Sequence, residues 1–134
     1  MKKISLNTSC PCGSGVKYKK CCLVYHKGAV PKTAELLMRS RYVAYAVNNA
    51  SYIMKTTHPN NSDYTIDTKT WKESIEAFSK TTEFLSLNVL EFKDGDNEAF
   101  VTFRAILSFG EMLEKSRFLK INASWLYESG EISF

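Results

Sequence analysis

At 134 residues the chain has the size of one ordinary domain, and a composition 44% hydrophobic and 24% charged is that of a folded globular protein. No apolar run reaches the roughly 18–20 residues that a bilayer demands, which excludes a transmembrane helix. The basic start, Met1 to Asn7, has no apolar stretch behind it and does not read as a secretory leader. The expected compartment is the cytoplasm, where thiols stay reduced and clustered cysteines hold metal more often than they form disulfides.

Charge is unevenly placed. Residues 1–32 contain Lys2, Lys3, Lys17, Lys19, Lys20, Lys27 and Lys32 and no acidic residue, whereas the acidic side chains outnumber the basic ones in the rest of the chain. All four cysteines, Cys10, Cys12, Cys21 and Cys22, fall within this basic head. Gly28 and Pro31 then mark a short linker. The chain divides on this reading into a cysteine module at 1–27, a linker at 28–31 and a body at 32–134.

Within the body, Thr33 is suited to cap a helix from Ala34 to about Val47. Leu36, Val43 and Val47 form one stripe at helical spacing and Met38, Tyr42 and Tyr45 another, so that helix is expected to be largely buried. Asn48 and Asn49 end it. A second short helix follows from Ala50 to Thr57 and stops before Pro59. Asp67 or Thr68 caps a third, in which Trp71, Ile75 and Phe78 recur on one face. After Thr82 the texture is that of strands: Glu83 to Lys93, Ala99 to Phe109, Met112 to Ile121 and Ser124 to Tyr127. Val101, Phe103, Ala105 and Leu107 alternate onto one face. Three helices followed by an antiparallel meander make an α+β domain.

The cysteines are spaced C-x-C, eight residues, then C-C. Zinc takes four thiolates in a tetrahedron at about 2.3 Å, and such a closed site is structural. Gly13 and Gly15 let the backbone turn tightly behind the first pair. Metal binding of this kind supplies roughly 10–16 kcal/mol, enough to fold a segment too short for its own core. Disulfides, a redox-active dithiol and a site in which His26 replaces one cysteine are the rival readings. Cys10–Cys12 and the adjacent Cys21–Cys22 make strained disulfides.

The run Cys10-Pro11-Cys12-Gly13-Ser14-Gly15 with Tyr18-Lys19-Lys20-Cys21-Cys22 resembles the SEC-C motif, the zinc knuckle at the C-terminus of the bacterial secretion ATPase SecA. There the knuckle binds the export chaperone SecB and contacts ribosomes and phospholipid. The resemblance implies a docking module, with Lys17, Tyr18, Lys19 and Lys20 as its partner contacts. The body, through Thr33 to Tyr42, Ser116 to Leu119 and Ser124 to Tyr127, is similar to the YchJ family. That family joins a SEC-C knuckle to a cone-shaped domain of the nuclear transport factor 2-like, or cystatin-like, class. Val16 departs from the basic residue usual in the knuckle, and no second cysteine cluster follows Gly130.

A curved sheet over a long helix leaves a concavity. The polar groups considered for it are Arg39, Arg41, His58, Arg104, Glu114 and Arg117. An anion pocket would draw on Arg39, Arg104 and Arg117, with Glu114 or Glu35 as the carboxylate partner of an inward-facing Arg117. His58 is the one candidate base, and no serine or cysteine constellation for catalysis stands outside the knuckle. The expected function is thus a non-enzymatic, zinc-binding adaptor docking on a protein or ribosomal partner. Nucleic-acid contact through the lysines, self-association of the body and a small-molecule enzyme in the cone are the alternatives. The body is expected to keep its own core, so that losing zinc unfolds the knuckle alone.

Overall fold

The computed structural model describes residues 4–134, so Lys2 and Lys3 of the basic head lie outside the described residues. The N-terminal segment is a small turn-rich unit. Cys10 N donates to Val16 O at 2.8 Å and Tyr18 N to Thr8 O at 2.9 Å, pairing the two arms of the cysteine loop. A single 3-10 turn at Tyr18–Lys20 leads into helix α1, Cys22–His26.

Three polar side chains then start three helices. Thr33 Oγ1 accepts from Leu36 N at 3.1 Å and opens α2, Ala34–Ala46. Asn49 Oδ1 accepts from Tyr52 N at 3.2 Å and opens α3, Ala50–Lys55. Asp67 Oδ1 accepts from Thr70 N at 3.1 Å and opens α4, Thr68–Thr81. Each satisfies an amide that a helix start leaves without a partner. Asn48, at φ 59°, takes the left-handed conformation that ends α2.

The chain continues into four strands, β1 (Phe84–Lys93), β2 (Glu98–Leu107), β3 (Gly110–Ile121) and β4 (Ser124–Ser133). They form an open antiparallel sheet in sequence order. Ala99, Val101, Phe103, Ala105 and Leu107 are buried on one face of β2, as their alternation requires. Helix α2 packs against β2 and β4, and Tyr42 Oη donates to Ser86 O at 3.2 Å.

Strand β4 runs past Tyr127, where the sequence placed its end. Arg117 faces Ser129 and Phe118 faces Tyr127, so Glu128 is an extra residue, a bulge that lets pairing continue to Ser133. The strand also reads Arg117 differently from the sequence. Glu114, Ser116 and Phe118 are buried, which puts Arg117 on the opposite, open face.

The core does not stop at the linker. Cys10, Cys12, Tyr18 and Cys22 belong to one contiguous buried cluster with Leu37, Val43, Leu87, Val101 and Phe118. The body therefore does not keep a core separate from the knuckle, as the sequence reading had it. A second cluster, with Tyr52, Ile53, Trp71 and Ile75, holds α3 and α4 together.

Candidate metal centre and an aromatic cavity

The loop of residues 10–22 turns back on itself and brings the four cysteines together. Their Sγ atoms all lie within 4.8 Å of one another, and Cys12 Sγ is 3.6 Å from Cys21 Sγ. A metal ion held by four thiolates at about 2.3 Å sets neighbouring sulfurs roughly 3.8 Å apart in a tetrahedron. The donor set and its spacing thus fit one ion. No disulfide links the cysteines. Cys10, Cys12 and Cys22 are buried and Cys21 is half-buried, with Ser14 Oγ 3.2 Å from its sulfur.

Electrostatics explains why a cation belongs there. Among the bare thiols, hydrogen bonds from Cys10 and Cys22 hold Cys12 far below the ordinary thiol range. The same contacts work against the others: the hydrogen bond with Cys12 pushes Cys10 up to about 12, and that with Cys10 pushes Cys22 higher still. The Cys12 thiolate thus suppresses ionisation of Cys10 and Cys22, and a central positive charge would relieve it.

The body grips this loop at three points. Arg39, on α2, donates from Nη1 to Cys12 O at 2.7 Å while its Nε pairs with Glu35 at 3.0 Å. Gly13, at φ +81°, passes so near β1 that a Cβ there would stand 2.9 Å from Leu87 O. Tyr18 Oη meets His26 Nδ1 at 2.9 Å, and His26 Nε2 meets Ser40 O at 2.8 Å. A carbonyl only accepts, so Nε2 carries the proton and Nδ1 accepts from the tyrosine. Both ring nitrogens are thereby engaged, and His26 is not a fifth donor or a replacement ligand.

Tyr18 corrects the expected docking rim. It is 4% exposed and points to His26, whereas Lys17, Lys19 and Lys20 are exposed. The rim is made of lysines, with Val16 (43% exposed) and Val24 (42%) beside them in the chain, and its aromatic is a core residue.

The arginines named from sequence are not brought together. Arg39 serves the cysteine loop. Arg104 pairs with Glu111 at 2.5 Å, and Arg117 pairs with Glu98 at 2.7 Å and Glu128 at 3.2 Å, both on open surface. Arg117 thus finds neither Glu114 nor Glu35. His58 is buried, its Nδ1 accepts from Asn60 N at 3.0 Å, and it does not line the cavity.

The concavity itself exists. A cavity of about 240 Å³ lies between α2, α4 and the sheet, with walls that include Phe84, Phe103 and Phe118. Its charged groups are Arg41 and Glu114, both 7% exposed, and Asp63, which is exposed. Arg41 Nη1 donates to Ile53 O, Thr56 Oγ1 and Thr57 Oγ1 at 3.0, 2.8 and 3.1 Å. Its guanidinium lies 4.7 Å from the centre of the Tyr127 ring. Tyr127 Oη and Ser116 Oγ donate to Glu114 Oε2 at 2.8 and 2.5 Å. Burial, then the Glu114 charge, push the Tyr127 hydroxyl well above its ordinary range, so it stays a donor. Glu114 was named from sequence. Arg41 was considered but not placed in the anion pocket, because its acceptors, Thr56 and Thr57, lie on a different element.

Comparison with known proteins agrees with this architecture. The family described as "YchJ, middle NTF2-like domain" matches residues 33–130, and the SEC-C motif matches residues 7–23. A UPF0225 protein of Serratia proteamaculans is 41% identical over 130 residues, covering 90% of this chain and 81% of that protein. The UPF0225 protein YchJ of Shigella dysenteriae is 41% identical over 128 residues, with 90% and 81% covered. The solution structure of RPA3114, a SEC-C motif containing protein from Rhodopseudomonas palustris, superposes with a TM-score of 0.77. It shares 30% identity and covers 92% of this chain and 98% of its own. A SEC-C motif that folds onto an NTF2-like domain, in a chain this similar to such relatives, places the protein in the YchJ family.

Proposed function

We propose that the chain is a zinc-binding docking protein whose N-terminal knuckle meets an acidic partner. The observation that carries this reading is the separation of roles within residues 10–22. The thiols point inward, three of the four buried, while Lys17, Lys19 and Lys20 on the same loop point outward. Zinc is the metal that best fits four closely spaced thiolates with no open coordination position. The ion fixes the loop and so fixes the spacing of the three ammonium groups. Charges held in a set array favour a complementary surface and speed its encounter.

The partner proposed is an acidic protein face, with ribosomal RNA as the alternative that the test separates. The enzyme reading took His58 as its base, and among the described residues His58 does not line the cavity. The test compares the intact protein with a Lys17→Ser, Lys19→Ser, Lys20→Ser variant, each first assayed for zinc content. Both are then used in lysate pull-downs at two salt concentrations. The reading expects one zinc per chain in both proteins, with a bound protein lost in the variant and weakened by salt. A partner set indifferent to the lysines and to salt sinks it. Recovery of ribosomal RNA in place of a protein redirects it to nucleic acid.

A further inference from the structure

Arg41 is a buried cation that makes no ion pair among the described residues. Its three hydrogen bonds all leave from Nη1 and end on neutral oxygens. Among the described residues, Nε and Nη2 have no protein acceptor and no carboxylate lies within ion-pair distance. Glu114 mirrors it. Both of its hydrogen bonds enter Oε2, and among the described residues Oε1 has no donor. A buried charge without a counter-charge is costly, and two in one cavity call for an explanation.

Tyr127 sets their relation. The guanidinium sits over its ring and the carboxylate at its hydroxyl. Both charges therefore contact Tyr127 and line one cavity, where a single small molecule can reach both, and they make no ion pair with each other. Apart from the exposed Asp63 and from Ser116, the rest of the lining is apolar or aromatic, with Met38, Phe78, Phe103, Leu107 and Met112 among it. The volume, about 240 Å³, is just under the range of about 300–1,000 Å³ usual for small-ligand sites, which limits the occupant to a compact molecule.

We propose that this cavity binds a free α-amino acid with a large apolar side chain. The carboxylate would meet Arg41, the ammonium would meet Glu114, and the side chain would lie among the phenylalanines and methionines. A simple anion satisfies Arg41 but is repelled by Glu114 and by the exposed Asp63, and a simple amine leaves Arg41 without a counter-charge. Only a group carrying both charges matches both walls. The proposal does not rest on the docking role, so the two stand or fail apart.

The experiment follows the methyl signals of Met38 and Met112 by NMR in the full zinc-loaded chain. The probes are L-phenylalanine, L-leucine, phenylacetate and phenethylamine. The expected result is saturable shifts with the two amino acids, and binding weaker by about tenfold or more for the two singly charged analogues. Glu114→Gln keeps the acceptor for Tyr127 and Ser116. It should weaken L-phenylalanine and strengthen phenylacetate, because the repelling charge is gone. The ligand comparison on the unaltered protein decides the matter even if that variant folds poorly. Absence of saturable shifts with either amino acid up to about 10 mM overturns the proposal. So does equal binding of phenylacetate or phenethylamine.

Discussion

His26 Nε2 donates a 2.8 Å hydrogen bond to the carbonyl oxygen of Ser40, in the middle of helix α2. The same ring accepts from Tyr18, and Ser40 Oγ in turn contacts Tyr52 Oη at 2.7 Å. A polar chain thus runs from the cysteine loop through α2 to α3, inside the molecule. Neither end is a metal ligand. It is the weld between knuckle and body.

That weld predicts a pH dependence. Burial holds the His26 imidazole below its ordinary value of 6.5. As pH falls through about 6.5 the unfolded chain takes up a proton that the folded chain refuses, so stability is full above that value and declines below it. Urea melts of the wild type between about pH 5 and pH 7.5 should show this slope. His26→Gln should be less stable at neutral pH and show a shallower slope. An unchanged slope in the variant would assign the dependence to other groups.

Gly130 predicts a local cost. A Cβ at this position would collide with the Glu114 carboxylate and the Tyr127 hydroxyl. Gly130→Ala must therefore displace a buried charge from its donor, at about 1–3 kcal/mol. Combining it with Tyr127→Phe should cost less than the sum of the two, as measured by chemical denaturation, because both disturb one hydrogen bond.

The arginines separate into two kinds. Arg104 and Arg117 make ion pairs on open surface, where water screens them, so Arg104→Ala and Arg117→Ala should leave the melting temperature nearly unchanged. Arg41→Ala removes three buried hydrogen bonds and the contact with Tyr127, and should cost about 3–5 kcal/mol. Calorimetry of the three variants side by side checks the contrast.

On the proposed reading, loss of metal from the four cysteines should be felt well beyond the knuckle. Cys12 has no exposed surface and packs in the same cluster as Phe118 and Trp125. Chelation, or Cys12→Ser, should lower the melting temperature of the whole chain and alter the fluorescence of Trp125. A change confined to residues 4–27, with Trp125 unaffected, would show the body to be self-sufficient.

Much of this was legible in the chain because the chemistry was local. Four cysteines within thirteen residues can be read without a fold, and Thr33, Asp67 and the alternation of β2 announce their elements directly. What stayed hidden depends on distant partners. Arg117 was read inward because Leu119 and Ile121 share its face, yet the inward row of β3 is Glu114, Ser116 and Phe118. Two polar residues hold that row because Tyr127 and the cavity receive them, and periodicity does not register a partner on another strand. Tyr18 misled for the same reason. Lysines on both sides suggest a stacking residue at the surface, and only His26, eight residues on, explains its burial.

The order in which the chain is made gives the buried cysteines a further meaning. Cys10 to Cys22 leave the ribosome before Arg39 and Leu87, the residues that later close over Cys12 and Gly13. In that interval all four thiols are open to solvent, whereas in the folded chain only Cys21 keeps part of its surface exposed. Once Arg39 and β1 have docked, an ion exchanging with this site does so past a loop held by the body, which makes the undocked loop the more open form.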